Sequence, residues 1–378
     1  MDFSLDETQT AVRDAARRLA REKLVPRAKE LDRTGGFPEE SLRELGALGL
    51  LGVAVPEPLG GAGAGAVAYA AALMEVAEAC ASTSVAMAVT NMVAEQIVRF
   101  GTDAQKERFV RPLVSGAAVA GAFALSEPHC GSDAAALRTT AVRRGDRFVL
   151  NGSKQWITSG DRAGVIIVWA RTGGEGPRGI SAFVVERGTP GLTAGRPEHK
   201  MGLRGSSTVP LVFEDCAVSA GQLLGEEGQG FKIAMSALDG GRIGIGAQAV
   251  GLIRACLGAS RRYARERKAF GEPIAERQAI RWKLADMAVD LAAAELLTFR
   301  AARLKEEGRP FTREASMAKL FCSEASNRAT SQAVQIHGGY GYVDEFPVER
   351  YFRDARVQTL YEGTSEIQRK VIAREILK

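Results

Sequence analysis

The sequence predicts a mainly helical α+β protein in three parts: an N-terminal α-helical domain, a middle antiparallel β-barrel or sandwich, and a C-terminal four-helix bundle. Three observations carry this expectation. Apolar residues recur every three or four positions from Leu5 to about Ser115. Short β-rich runs bounded by turn residues begin near Val119. Helical periodicity returns at about Gly228 and lasts to the end. A chain of 378 residues is also long for one core, at roughly 150 residues per domain. The expected divisions are 1–118, 119–225 and 226–378.

In the first part Val12, Ala15 and Leu19, then Leu42, Leu45 and Leu48, mark helix faces. Pro38 after Gly35-Gly36 starts a new helix. Leu50–Val55 reads as strand-like. Val85–Phe100 and Asp103–Val114 read as helices, with Asp103 as the cap of the second. The middle part offers strands at Val119–Leu125, Arg147–Leu150, Gln155–Thr158, Val165–Ala170, Ile180–Val185 and Val209–Glu214. Arg144-Gly145-Asp146 and Asn151-Gly152 read as the turns between them. In the last part Ile280, Leu284, Met287, Leu291 and Leu297 stripe one long helix. Phe311–Ile336 and Val357–Leu377 supply others, with short Gly- or Pro-bearing connectors.

Composition excludes several classes. Hydrophobic residues at 46% and charged residues at 25% mark a globular chain rather than a disordered one. A net charge of +5 is a weak field, and no nucleic-acid partner is expected. The basic run Arg261, Arg262, Arg265, Arg267, Lys268 is interleaved with Glu266. It reads as a solvated helix face or a local anion site. Cys80, Cys130, Cys216, Cys256 and Cys322 are odd in number and lack a CxxC, so neither a disulfide framework nor a metal site is expected. The start MDFSLDETQT lacks the features of a signal peptide. The longest charge-free stretch, Pro58–Met74, is broken by Pro and Gly, so no membrane insertion is expected. A soluble, cytoplasmic protein is the expectation.

Two glycine runs imitate a dinucleotide fingerprint. Gly61–Ala66 follows the strand-like run but leads into helix, and Gly244–Ala249 lies inside a helical pattern. Neither belongs to a βαβ unit, so close packing and a loop are the better readings. No G-x-S-x-G, H-E-x-x-H or P-loop occurs, and the histidines lie far apart in the sequence.

Four segments are chemically unusual. Phe123–Asp133 (FALSEPHCGSD) ends a strand in a polar turn with free hydroxyls. Gln155–Thr158 (QWIT) places an indole and a hydroxyl two apart on one strand face, where a planar ring could stack. Gln335–Tyr342 (QIHGGYGY) has glycines that either let a ligand approach the backbone or end a helix. Leu360–Arg369 (LYEGTSEIQR) sets a lone carboxylate beside a Tyr, before a helix start.

In this order the four segments resemble the acyl-CoA dehydrogenase family over essentially the whole chain. The most specific strings are SEP…GSD, QWITSG, YARERKAFGEPI, GGYGYV and YEGTSEIQR. MGLRGSSTVPLVFEDC and LDGGRIGIGAQAVG look most like the short-chain (butyryl-CoA) branch. The resemblance implies FAD, α,β-dehydrogenation of a short-chain or short-branched acyl-CoA to the trans-2-enoyl-CoA, and electron transfer to an electron-transferring flavoprotein. It implies Glu362 as the base taking the α-proton, with flavin N5 receiving the β-hydride. Some relatives carry the base on the helix that here bears LDGGR; the corresponding position is Gly241, which favours Glu362. A thioester α-proton is so weakly acidic that Glu362 needs a dry pocket to raise its basicity. The enolate oxygen would be met by the Glu362 N–H and a flavin hydroxyl.

The resemblance further places Phe123, Leu125, Ser126, Gly131 and Ser132, then Trp156, Ile157 and Thr158, around the flavin. Arg267, Phe270 and Gln278, with Gln335, Ile336, His337, Gly338 and Gly339, fall to the diphosphate and adenosine half, shared across subunits of a homotetramer. Thr364, Ser365 and Glu366 match the cofactor-binding turn. Ser132, Asp239, Arg242, Tyr361 and Gly363 match substrate-side positions. His129 and Cys130 depart from the small residues usual in relatives, and imply a bulkier turn with an oxidisable thiol near the cofactor. Two alternatives stay open: a flavin oxidase or carrier-linked desaturase on the same scaffold, and a helical interaction protein without flavin.

Overall fold

The structure is a computed structural model that describes residues 4–378. Helix α1 (Glu7–Leu19) passes through a π-helical turn at Ala20–Leu24 into α2 (Val25–Thr34), which has Pro26 in its first turn. Proline has no N–H to give and crowds the carbonyl four residues back, so the ladder widens ahead of it. Helices α3 (Glu39–Ala47), α4 (Gly65–Ala79) and α5 (Ala81–Phe100) follow. The pattern repeats at Pro112: a π turn at Lys106–Val110 joins α6 (Asp103–Gln105) to α7 (Arg111–Val114). The cap of α6 is Thr102, not Asp103. Thr102 accepts the Gln105 N–H at 3.2 Å while the Gln105 side chain accepts the Thr102 N–H at 3.0 Å, a reciprocal box that leaves Asp103 as the first helical residue. Leu50–Val55 is not a strand either. It forms a 3-10 turn at Leu50–Gly52, and Gly52 packs on Val114 with no room for a Cβ.

The middle part is one open sheet. Its strands are β1 (Gly121–Ala124), β2 (Thr140–Arg144), β3 (Arg147–Thr158), β4 (Val165–Arg171), β5 (Ile180–Glu186), β6 (Leu192–Ala194), β7 (Thr208–Ser219) and β8 (Leu223–Leu224). The order is β6-β7-β3-β2-β4-β5-β8, with β1 beside β4. Pairing is antiparallel except for β1 and β2 against β4, and the two edges do not close into a barrel. The runs predicted at 147–150 and 155–158 are one strand. Asn151-Gly152 is not a turn but a bulge inside it. Gly152 has φ +147 and no space for a Cβ beside Thr139, and the register against β7 shifts there. A second shift falls between Lys154 and Ile157. Strands β2 and β6 escaped notice because they are short and largely exposed, and β8 because it has only two residues.

The last part packs α8 (Gly230–Glu266), α9 (Gln278–Glu306), α10 (Thr312–His337), α11 (Val348–Ala355) and α12 (Ser365–Ile376). A short ribbon, β9 (Lys268–Ala269) and β10 (Glu272–Pro273), links α8 to α9. Helix α8 is long and apolar enough to cross a membrane, but 83% of its apolar window is buried inside the protein. The helix predicted over 357–377 is interrupted. A 3-10 turn at Arg356–Thr359 leads to a non-helical stretch before α12, where Glu362 and Gly363 have φ +53 and +89. All five cysteines are buried and unpaired.

Arg353 on α11 ties the parts together. It donates to both oxygens of Asp32 on α2 at 2.9 and 2.6 Å, to Glu349, and to the Met201 carbonyl beyond β6 at 3.2 Å. The next residue, Asp354, is buried and accepts the Leu203 N–H. Removing the guanidinium strands two shielded carboxylates. Arg353→Met should therefore lower the thermal unfolding midpoint by a few degrees, roughly 2 kcal/mol for a partly screened network, as read by circular dichroism.

Candidate functional site

Helix α8 presents Gly241, Gly244 and Gln248 at i, i+3 and i+7, on one face. A Cβ at Gly241 would lie 2.6 Å from Glu362 Oε2, and one at Gly244 would lie 2.7 Å from the Tyr69 hydroxyl. The absent side chains thus leave recesses that the carboxylate and the phenol occupy. Gln248 closes the row. Its carbonyl oxygen accepts from the Tyr361 hydroxyl and from Gln358 Nε2 (3.1 Å), and its amide donates to Ala81 O and Ser84 Oγ at 3.2 and 3.1 Å.

Glu362 projects from a left-handed turn that a non-glycine residue adopts only when its surroundings enforce it. Two side chains enforce it here. Gln368 Nε2 donates to the carbonyls of Glu362 and Gly363 at 3.1 and 2.9 Å, and Lys319 Nζ donates to that of Gly363 at 2.7 Å. Thr364 caps α12 by accepting the Ile367 N–H, and Ser365 donates to Glu324. Among the described residues, no protein acceptor takes the Glu362 N–H.

Glu362 as a whole is half-buried, but its Oε2 is sealed from solvent and has no hydrogen-bond partner. Desolvation pushes its pKa up to about 7, against the opposing charges of Arg242 and Lys319. Lys319 on α10 is itself fully buried, and desolvation brings it down to about 8. Burial also lowers Arg242, which holds Asp239; Asp239 accepts the Thr312 hydroxyl at 2.7 Å. Asp239 and Arg242 line a groove of about 710 Å³ whose wall carries Arg309, Arg313, Arg374 and Lys378, with Glu314 and Glu375. The result is a dry, weakly acidic carboxylate beside a basic groove.

The other predicted residues form two further groups. At the end of β1, Phe123 packs on Trp169 at 4.2 Å. Leu125 is buried, and its carbonyl accepts from Lys154 at 3.1 Å. Lys154 also pairs with Glu127 at 2.7 Å, and Glu127 accepts the Arg138 and Thr139 N–H groups. This buried knot fixes the turn from which half-buried Ser126 and exposed Gly131 and Ser132 project. Leu125 and Tyr361 belong to one apolar cluster with the first turns of α8. The Cys130 thiol lies in that apolar cluster, with burial pushing its pKa up. Glu127, His129 and Cys130 stand within 4.8 Å of one another, but Glu127 already accepts three donors, one of them a cation. Trp156 is 62% exposed at φ +62, and Thr158 shares its outward side. Ile157 between them turns its side chain into the core, which leaves only its backbone for a ligand. Ser159, at φ +59, has a buried hydroxyl without a partner.

The third group gathers at the far end of α8. The Arg267 guanidinium lies over the Tyr340 ring at 5.4 Å, and His337 stacks on Tyr263 at 4.2 Å. Ile336 and His337 are buried, whereas Gln335, Gly338 and Gly339 are exposed. Phe270 is 96% exposed on the ribbon, and Gln278 opens α9. Arg267 is separated from Gly241 by about 38 Å of helix at about 1.5 Å per residue. One chain therefore does not bring these residues to its own Glu362. Glu366 is exposed in the first turn of α12.

Sequence reasoning missed Lys319, Gln368 and Gln248. A signal for Lys319 exists: it interrupts the small-residue stripe Ala315, Ala318, Cys322, Ala325 at a position whose side chain must be buried.

Comparison with known proteins follows the same geometry. Three family profiles match in order: acyl-CoA dehydrogenase N-terminal domain at residues 6–117, middle domain at 122–216 and C-terminal domain at 228–377. The chain is 51% identical over 376 residues to the short-chain specific acyl-CoA dehydrogenase, mitochondrial, of Mus musculus, covering 99% of this chain and 91% of that one. It superposes on butyryl-CoA dehydrogenase from Megasphaera elsdenii with TM-score 0.98 and 44% identity, over 100% of both chains. A chain from the structure of the electron transferring flavoprotein of Acidaminococcus fermentans gives TM-score 0.98 and 42% identity, also over 100% of both.

The recess at Gly241 makes a direct prediction. Gly241→Ala should displace the Glu362 carboxylate and destabilise the protein by about 1–3 kcal/mol through overpacking. Denaturant unfolding would read the loss, and a crystal structure would read the displacement.

Proposed function

The chain belongs to the acyl-CoA dehydrogenase family of FAD-dependent oxidoreductases, and on that premise we propose that it desaturates a short-chain or short-branched acyl-CoA with Glu362 as the base. The reading as a non-enzymatic helical protein thereby falls away. The observation that carries the proposal is the sealed, unpartnered Glu362 Oε2, with a pKa near that of a working base at neutral pH. A carboxylate in water would be far too weak for a thioester α-proton. Here the missing hydration and missing donors keep it basic, while Arg242 and Lys319 keep it ionisable.

The residues present fit FAD. The exposed Trp156 indole offers a stacking face, the buried Ser159 hydroxyl lacks a partner, and Gly338-Gly339 leave the backbone open. Thr158, Ser126 and the Phe123–Ser132 turn would hold the flavin end. Arg267, Phe270, Gln278 and Gln335–Gly339 would hold the diphosphate and adenosine of a neighbour's cofactor, as their distance from Glu362 suggests. Thr364–Glu366 would line the same site. When bound, FAD supplies the two-electron acceptor for the β-hydride. The chain's own part is placement. Glu362 takes the α-proton, its free N–H donates to the thioester oxygen as negative charge develops there, and Tyr361 and Gly363 flank the reacting carbons. The basic groove with Asp239 and Arg242 suits the phosphates of CoA.

Similarity to short-chain and butyryl-CoA enzymes supports a short acyl group, and the Tyr361–Gln248–Gln358 cluster fills the space beside the base. Electron-transferring flavoprotein as acceptor rests on the family and on the Acidaminococcus relative. A homotetramer has support in Trp282, Val289 and Leu296, seven apart and exposed on α9, more apolar helix face than one bundle covers. Five unpaired thiols accord with the cytoplasm.

Glu362→Gln should retain its yellow flavin and lose bleaching by butyryl-CoA by roughly 10²–10⁴-fold; full anaerobic bleaching would overturn the assignment. In the wild type the bleaching rate should rise with pH through about 7, because the base works only once deprotonated. A panel of straight and branched acyl-CoAs would peak at short chains. Stoichiometric peroxide in air without another acceptor would instead indicate an oxidase. Arg309→Ala should raise KM for butyryl-CoA several-fold with kcat little changed, since it removes only uniform binding.

A further inference from the structure

We propose that Lys319 is a positioning residue that sets both the conformation and the ionisation of Glu362, through one buried ammonium clamped on the Gly363 carbonyl. The proposal deepens the reading above and rests on it for its catalytic meaning.

The geometry is specific. Lys319 is fully buried on α10, in a stripe of alanines where a charge is costly. Among the described residues, its one hydrogen bond is to Gly363 O at 2.7 Å. That carbonyl belongs to the left-handed turn that carries Glu362. Gln368 grips the same oxygen at 2.9 Å without a charge. If holding the turn were the only requirement, Gln368 would meet it. The ammonium adds a cation on a helix other than α8, and that cation favours the carboxylate form of Glu362. The other groups facing the pair are Arg242 on α8, Tyr69 on α4, Tyr361 beside the base, Glu324 on α10 and Glu366 on α12. Arg242 is committed to Asp239 and lines the groove, so its field at Glu362 changes when a ligand enters. Lys319 is closed off from the groove and holds its charge in place through binding.

The test separates charge from clamp and does not depend on turnover. In holoenzyme labelled with ¹³Cδ-glutamate, the Glu362 carboxyl resonance is assigned by its loss in Glu362→Gln and titrated by NMR. Lys319→Met and Lys319→Gln should raise the Glu362 midpoint by at least about one pH unit, which cuts the ionised fraction at pH 7 roughly fivefold. Lys319→Arg should leave it within a few tenths. Gln368→Leu, which weakens the clamp alone, should leave the midpoint unmoved while slowing bleaching. The acid limb of butyryl-CoA bleaching should shift with the NMR midpoint, and the rate in Lys319→Gln should recover at high pH. An unmoved midpoint in both neutral variants overturns the proposal. So does loss of FAD by all three Lys319 variants, Arg included, which would mark a purely structural lysine. If Glu362→Gln still bleaches, Glu362 is not the base, yet the titration still reports whether Lys319 governs its charge.

Discussion

The site depends on one constraint: a carboxylate must stay ionisable although one of its oxygens, Glu362 Oε2, is sealed from water and has no hydrogen-bond donor. Glu362 reaches that place only because α8 has no side chain at Gly241. It stays there only because its turn is held left-handed from behind. The desolvation that raises its pKa is opposed by two buried cations, and the balance lands near neutrality. Stronger opposition would make a poor base, and weaker opposition would leave a neutral acid.

Much of the surrounding fold serves that arrangement. The turn needs α10 and α12 behind it, and α8 in front. The end of β1 is fixed by the buried Lys154–Glu127 pair and packs against the same apolar cluster as Tyr361. Arg353 ties α11, which leads into the turn, to α2 and to the loop beyond β6. Buried ion pairs contribute little net stability when set against apolar packing, but breaking one costs far more. Here they hold a turn and a domain junction in register.

The helix–strand–helix order was legible in the sequence because apolar periodicity switches from about 3.6 to about 2 and back. Helix α10 was read to within one residue at each end, whereas α8 and α9 were read as helical stretches without their ends. What failed was local. Asn151-Gly152 has the composition of a turn, yet its strand continues, because a bulge also requires a glycine at positive φ. Leu50–Val55 has strand composition but no strand to pair with. The break at 360–364 was hidden because its causes lie in Lys319 and Gln368, and only the latter is nearby in sequence. The proposed site residues were picked out through motif resemblance rather than through physics. Lys319, Arg309, Arg313 and Arg374 lie outside those strings, and Gln248 lies inside one with nothing beside it in sequence to mark its role; contact in three dimensions shows what each of them touches.

The glycine face of α8 limits how this enzyme can change. A helix usually tolerates drift at a small residue, and Ala in place of Gly normally strengthens it. At Gly241 and Gly244 the stabilising exchange would strike the carboxylate or a phenol. The helix therefore retains two of its weakest residues for what they leave empty. Change beside Glu362 would have to come from the facing residues, at Tyr69, Gln358 or Tyr361. For an engineer or for a diverging lineage, α8 is the fixed jaw and the opposite wall is the adjustable one.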